Sequence, residues 1–232
     1  MNRSLSCFDY VNLALLLCSA LILIYFIPVA GLVDQGLSAP WVDGSGYYLR
    51  ENWLLVRIGH ELLKYIVITI ALIHFVIFLC LSFQKSSSVL RGISGRVVLG
   101  MLLSVSVVGL LKSHSIHACP WSMLEVSGSQ FNWNKPIHGL GKCFPGGHAS
   151  AGFSLFILYF AYRPYYPTLA RFGLCLALVM GISMSAVQML RGAHFLSHNL
   201  WAAWWCWLIC YLFSRFGQLK RLKWGTVLKT ST

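Results

Sequence analysis

Stretches of mostly apolar residues long enough to cross a bilayer recur along this chain, and that recurrence limits its possible folds more than any other feature. A helix needs roughly 20 such residues to traverse the hydrocarbon core. Six stretches meet or approach that length: about 11–33, 62–83, 97–111, 149–162, 169–190 and 195–213. With 57% of its residues hydrophobic and 10% charged, the chain carries more apolar surface than a soluble domain of this size can bury. The expected fold class is therefore all-α: a polytopic membrane helical bundle of about six transmembrane helices. The third and fourth stretches are short, which places Lys112 and His148 slightly inside the membrane, in a polar pocket between helices. Lys64, near the start of the second, is expected to snorkel to the interface. The first stretch is too long for a secretory leader and lacks a clear small-x-small cleavage site, so it reads as a retained helix.

Lysine and arginine set the orientation. Lys85, Arg91 and Arg96 lie between the second and third stretches, Arg163 and Arg171 between the fourth and fifth, and Arg215, Lys220, Arg221, Lys223 and Lys229 after the sixth. These segments read as cytoplasmic with both termini inside, and residues 34–61 and 113–147 read as external. The net charge of +12 is dispersed over membrane-flanking segments rather than gathered on one folded face, so anionic lipid is the expected partner and nucleic acid is not. No repeat or linker divides the chain: residues 1–232 read as a single membrane-embedded domain whose motif-bearing part covers about 97–213. Trp41, Tyr47, Tyr48 and Trp53 of the first external segment are expected to anchor at the headgroup level. Cys119 and Cys143 lie in the second external segment. In an oxidising compartment they can pair, and the sequence leaves a disulfide and two free thiols equally open.

Histidine placement carries the chemistry. His60 and His74 stand apart, and His74, mid-span, reads as a core histidine with a local hydrogen bond. His114, His117, His138, His148, His194 and His198 come from distant parts of the chain yet all map to the external side. The run Cys143-Phe144-Pro145-Gly146-Gly147-His148 leads into a helix, where glycine main chain and a helix N-terminus can cradle an anion and His148 can move a proton. The run from Gln188 to His198 contains Arg191, a fixed cation suited to a phosphoryl group, and two histidines four apart. On a helix His194 and His198 share a face, so the second ring can hold the first in one tautomer. That spacing also suits metal or haem ligation, although Arg191 and Lys112 would repel a cation. Lys112, at the external end of its span, runs against the positive-inside tendency, which favours a role in the site.

In this order, and on one side of six spans, these clusters resemble the type 2 phosphatidic acid phosphatase family of membrane enzymes. The family pattern is a lysine, six residues and Arg-Pro; then Pro-Ser-Gly-His; then Ser-Arg, five residues, His, three residues, Asp. Lys112 matches the lysine, with Cys119-Pro120 where Arg-Pro is expected. Pro145, Gly147 and His148 match the second motif, with Gly146 at the serine. His194 matches the histidine of the third, His198 stands at the aspartate and Gln188 at the arginine, with Arg191 three positions later. The resemblance covers about 112–201, and the N-terminal half matches only as membrane helices.

The resemblance implies catalysis through a phosphohistidine on His194, with His148 as general acid and His198 orienting His194. It implies phosphate binding by Lys112, Arg191, Gln188 and the main chain at Gly146 and Gly147, with Lys135 or Lys142 making up lost charge. No metal and no cofactor are implied. The Cys-Pro-Trp and Cys-Phe-Pro-Gly-Gly-His variants look like a bacterial branch, which implies an inner-membrane enzyme with its site facing the periplasm. The expected activity is hydrolysis of a lipid phosphate or pyrophosphate. A lipid phosphotransferase using the same intermediate and a non-catalytic lipid-phosphate binding protein are the rival readings. Undecaprenyl pyrophosphate, lipid A phosphate groups, phosphatidylglycerol phosphate and phosphatidic acid all stay open as substrates, as does oligomeric state.

Overall fold

Ser6 opens the first helix, α1 (Cys7–Tyr25). Its hydroxyl accepts the Asp9 N–H and the Asp9 carboxylate accepts the Ser6 N–H, a reciprocal cap. The computed structural model describes residues 5–85, 88–127, 130–133 and 141–229. Within them α1 stops at Tyr25, short of Pro28, rather than running to about residue 33 as composition suggests. Proline disfavours helix at the residue before it, and the chain turns into a separate short helix, α2 (Leu32–Ser38).

After one 3₁₀ turn at Ala39–Trp41, β1 (Val42–Asp43) and β2 (Gly46–Tyr47) form an antiparallel ribbon. A long helix then spans Leu54–Phe83; its first part, Leu54–Leu62, is π-helical and the rest is α3 (Leu63–Phe83). The next helix, α4 (Val89–Ser113), is capped by the Ser88 hydroxyl on the Arg91 N–H. It is a full 25 residues, not a short span: Arg91 and Arg96 lower its apolarity but not its helicity. Beyond it come α5 (Pro120–Met123) and a second antiparallel ribbon, β3 (Leu124–Ser127) with β4 (Gln130–Trp133). The two ribbons are small additions to a chain that is otherwise mostly helical, as the all-α expectation has it. Both are built from β-branched and aromatic residues such as Val42, Tyr47, Val126 and Phe131, and a glycine-containing turn joins β1 to β2, which favours strand pairing over helix.

The remaining elements are α6 (Gly147–Phe153), α7 (Phe156–Tyr162), α8 (Pro167–Leu190) and α9 (Leu196–Lys229). The molecule is mostly helical. Among the described residues four helices are long and apolar enough to cross a membrane: α1, Leu54–Phe83, α4 and α8. The stretch at 149–162 is instead broken at Ser154 and Leu155 into α6 and α7, and packing explains why this is tolerated. Phe156, Ile157, Leu158, Phe160 and Ala161 are all buried, so α7 is covered by α4, α8 and α9 rather than by lipid. Small residues let these helices close up. A side chain on Gly152 would meet the main chain of Gly181 at 2.7 Å, and one on Gly100 would strike Ile157 at 2.4 Å. The outward faces of α1, α3, α4 and α8 carry exposed Leu13, Leu72, Leu102 and Ile182, an apolar coat suited to acyl chains.

Polar groups collect at the two ends of the bundle. At one end Asp9, almost wholly buried, accepts from Tyr211 at 3.0 Å and pairs with Arg215, beside Arg163. At the other end α4 finishes at Lys112 and both α6 and α9 begin.

Candidate active site

Three chain segments meet where α4 ends. Lys112 occupies the last turn of α4, and its Nζ lies so near Gly147 that a side chain there would stand 3.4 Å from it. Cys119 and Cys143 are joined by a disulfide, with their Cα atoms 5.1 Å apart, and the Cys143 N–H donates to the His117 carbonyl at 3.0 Å. The loop after Cys143 reaches α6 through a cis Phe144–Pro145 bond. The Gly146 N–H donates to the His198 carbonyl at 2.9 Å, so the start of α6 is tied to the first turn of α9. That bond corrects one expectation: the Gly146 amide is occupied and does not face an anion. Its lack of a side chain matters instead, because a Cβ would come within 2.4 Å of Asn199 Oδ1.

The link between α8 and α9 carries His194. Gln188 supports it through its carbonyl, which accepts the Ala193 N–H at 2.9 Å and the His194 N–H at 3.3 Å. Gly192 has φ +73° and lies under the Tyr47 ring, where a side chain would clash at 2.4 Å. His194 and His198 are almost completely buried, and their Nδ1 atoms are 3.5 Å apart. The Cys143 main chain offers both rings a hydrogen bond. Burial, and then the charges of His198, Lys112 and His148, push the His194 imidazole well below its ordinary range, and the Cys143 bond only partly offsets this. His194 is therefore a neutral base at pH 7.

His148 sits on the first turn of α6, partly buried. The His60 ring lies against it with centroids 4.0 Å apart. Lys64, Lys112 and Arg191 are the cations within electrostatic reach of His148. Arg191 is held by its Nε donating to the Arg50 carbonyl at 2.9 Å. The structure thus brings His148, His194, His198, Lys112, Arg191, Gln188, Gly146 and Gly147 together. His117 packs at 5.2 Å on Phe144, which in turn meets His198. His114 is exposed and bonds locally to Ser113, and Lys142 is exposed. Lys135 and His138 lie outside the described residues. His74 bonds to the Ile70 carbonyl at 2.9 Å and to Tyr162 at 3.0 Å, as a core histidine does.

Sequence reasoning missed His60, Lys64 and Asp34. His60 and Lys64 are four apart at one end of a helix, the same spacing that singled out His194 and His198, and that pairing was available in the sequence. Asp34 is one of six acidic residues in the chain, and it is fully buried against Ser197. Beside His148 an apolar cavity of about 530 Å³ lies between α3, α4 and α6. Its walls include Ala71, Met101 and Val105, and its polar end is made by Lys64, Gly147 and His148.

No curated protein and no solved structure matches the chain. Residues 94–222, more than half of the chain, match the sequence model of the PAP2 superfamily. That interval contains Lys112, His148 and the whole α8–α9 link. The chain belongs to the PAP2 superfamily, whose members are phosphatases.

Proposed function

We propose that this protein is a metal-independent lipid phosphatase that works through a phosphohistidine on His194, at the extracytoplasmic end of a six-crossing bundle. The observation that carries the reading is the junction of two environments at one residue. His148 lines the apolar cavity, yet it is surrounded by Lys64, Lys112 and Arg191. A lipid tail in the cavity brings its phosphate to these cations, which is how a single molecule with both parts is recognised.

A proton on His194 Nδ1, directed at His198 Nδ1 or the Cys143 carbonyl, leaves Nε2 with a free lone pair. Nε2 attacks phosphorus, the bond from phosphorus to the lipid oxygen breaks, and His148, which takes up a proton when the anionic phosphate lies against it, gives that proton to the oxygen. Lys112, Lys64 and Arg191 hold the non-bridging oxygens, where charge must be stabilised. Water then attacks the phosphohistidine, loses its proton to His148 and releases inorganic phosphate, which returns both histidines to their starting states. His198 keeps the His194 ring oriented.

The six crossings are the four long helices, the α6–α7 pair and α9. Lys85, Arg91, Arg96, Arg163 and Arg215 gather at the end away from Lys112, and that asymmetry supports a cytoplasmic assignment for it and for both termini. The test is phosphate release by purified protein in detergent with a chelator present, over a panel of monophosphate and diphosphate lipids. Release by the parent that falls at least about 10³-fold in His194→Ala and about 10²-fold or more in His148→Ala is expected. Release that survives His194→Ala, or that stops with chelator, refutes the mechanism.

A further inference from the structure

Between the two histidines of the α8–α9 link stands Ser197, and its bonding is unlike that of its neighbours. Its main-chain N–H donates to Asp34 at 2.9 Å and its hydroxyl donates to the same carboxylate at 2.5 Å. Asp34 comes from α2, 163 residues earlier, and is 0% exposed. Its third bond is from the Ala30 N–H at 2.8 Å, which fixes the turn before α2. Burial pushes the carboxyl above its ordinary range, and the bonds from Ser197 and Ala30 only partly offset this. A carboxylate is an effective partner for the free amides at a helix start, and here it is supplied to α9 from a distant segment.

The same segment touches the link at two more points. The β1–β2 ribbon lays Tyr47 over Gly192, whose carbonyl accepts the Trp121 N–H at 2.9 Å. The Arg50 carbonyl holds Arg191, while the Arg50 guanidinium lies 4.5 Å over the Trp121 ring. Residues 30–50 therefore grip the link on both sides of His194, although they lie outside the family-matched interval 94–222.

We propose that Asp34 is a positioning residue for His194: by fixing Ser197 it sets where the His194 ring stands, in a chain whose family-pattern carboxylate has been replaced by His198. The catalytic half of this inference rests on the phosphatase reading; the positional half does not. Two measurements separate them. The first is a double-mutant cycle in phosphate release with Asp34→Ala, Ser197→Ala and the pair. Asp34→Ala is expected to lower kcat about 30-fold with KM within about threefold, and the pair to be no slower than Asp34→Ala alone. Asp34→Asn, which can still accept from the Ser197 N–H, is expected to recover part of the loss.

The second is the rate at which diethyl pyrocarbonate modifies His194, read by peptide mass spectrometry on folded protein. Loss of the tether is expected to raise it about tenfold in Asp34→Ala, and in Ser197→Ala should Asp34→Ala fail to fold. An unchanged labelling rate in folded variants overturns the inference whatever the activity. Additive losses in the cycle overturn it as well. A parent that releases no phosphate but shows faster labelling in the variants leaves the positional half standing and removes the phosphatase reading instead.

Discussion

The surroundings of His194 act strongly on its affinity for a proton. Burial and neighbouring positive charge hold its imidazole well below the 6.5 of an ordinary histidine, so the folded chain refuses a proton that the unfolded chain accepts. The sign follows: stability is full above about pH 6.5 and is lost as pH falls from there toward the depressed folded value, by up to about 1.4 kcal/mol per pH unit for this group. The thermal midpoint in detergent should therefore fall between pH 7 and pH 5, and His194→Asn should flatten that limb; an equally steep limb in the variant would locate the acid sensitivity elsewhere. At this scale the sequence was informative about His148, His194, His198 and Lys112, because each sits in a motif of local spacing. Asp34 was not legible as a site residue, since nothing near it in the chain hints at Ser197. His60 differs: its spacing to Lys64 is visible in the sequence, whereas its contact with His148, far along the chain, and the π-helical stretch that carries it are not.

Among the elements, α6 is the most constrained, since it must carry His148 while lying flush on α8. Gly152 makes that possible by direct contact with Gly181 main chain, and backbone cannot swing aside as a side chain can. Gly152→Ala is expected to cost about 1–3 kcal/mol and to lower the thermal midpoint, whereas Gly109→Ala, with nothing within 4 Å of the new methyl, should be neutral or slightly stabilising. Equal midpoints for the two variants would show that α6 and α8 can part freely. Helix existence was readable from apolar runs, but helix limits were not. Pro28 ended α1 early, Arg91 and Arg96 hid the first turns of α4, and burial of α7 inside the bundle allowed a break at Ser154 that lipid exposure would forbid. Of the aromatic residues expected to anchor the first external segment at the headgroup level, Tyr47 is instead buried against Gly192, while Tyr48 and Trp53 are exposed.

The whole molecule couples a greasy compartment to a charged one. If the cavity between α3 and α4 holds a lipid tail, Leu102→Trp should lower kcat/KM for a long-chain lipid phosphate about tenfold or more and have far less effect on a short-chain analogue. Equal losses on both substrates would remove the cavity from substrate binding. The bundle class was legible from composition, while the cavity was not, because it forms only where α3, α4 and α6 diverge around His148. The bond between Asp34 and Ser197 has a consequence for how the protein is made. Asp34 leaves the ribosome 163 residues ahead of Ser197, so through most of synthesis its carboxylate waits in water. The helix that receives it, α9, follows all the other described elements in the chain. Under the proposed mechanism a chain stopped before α9 has formed holds Lys112 and His148 without a fixed His194, so such a molecule would be inert, and the docking of α9 would arm the site.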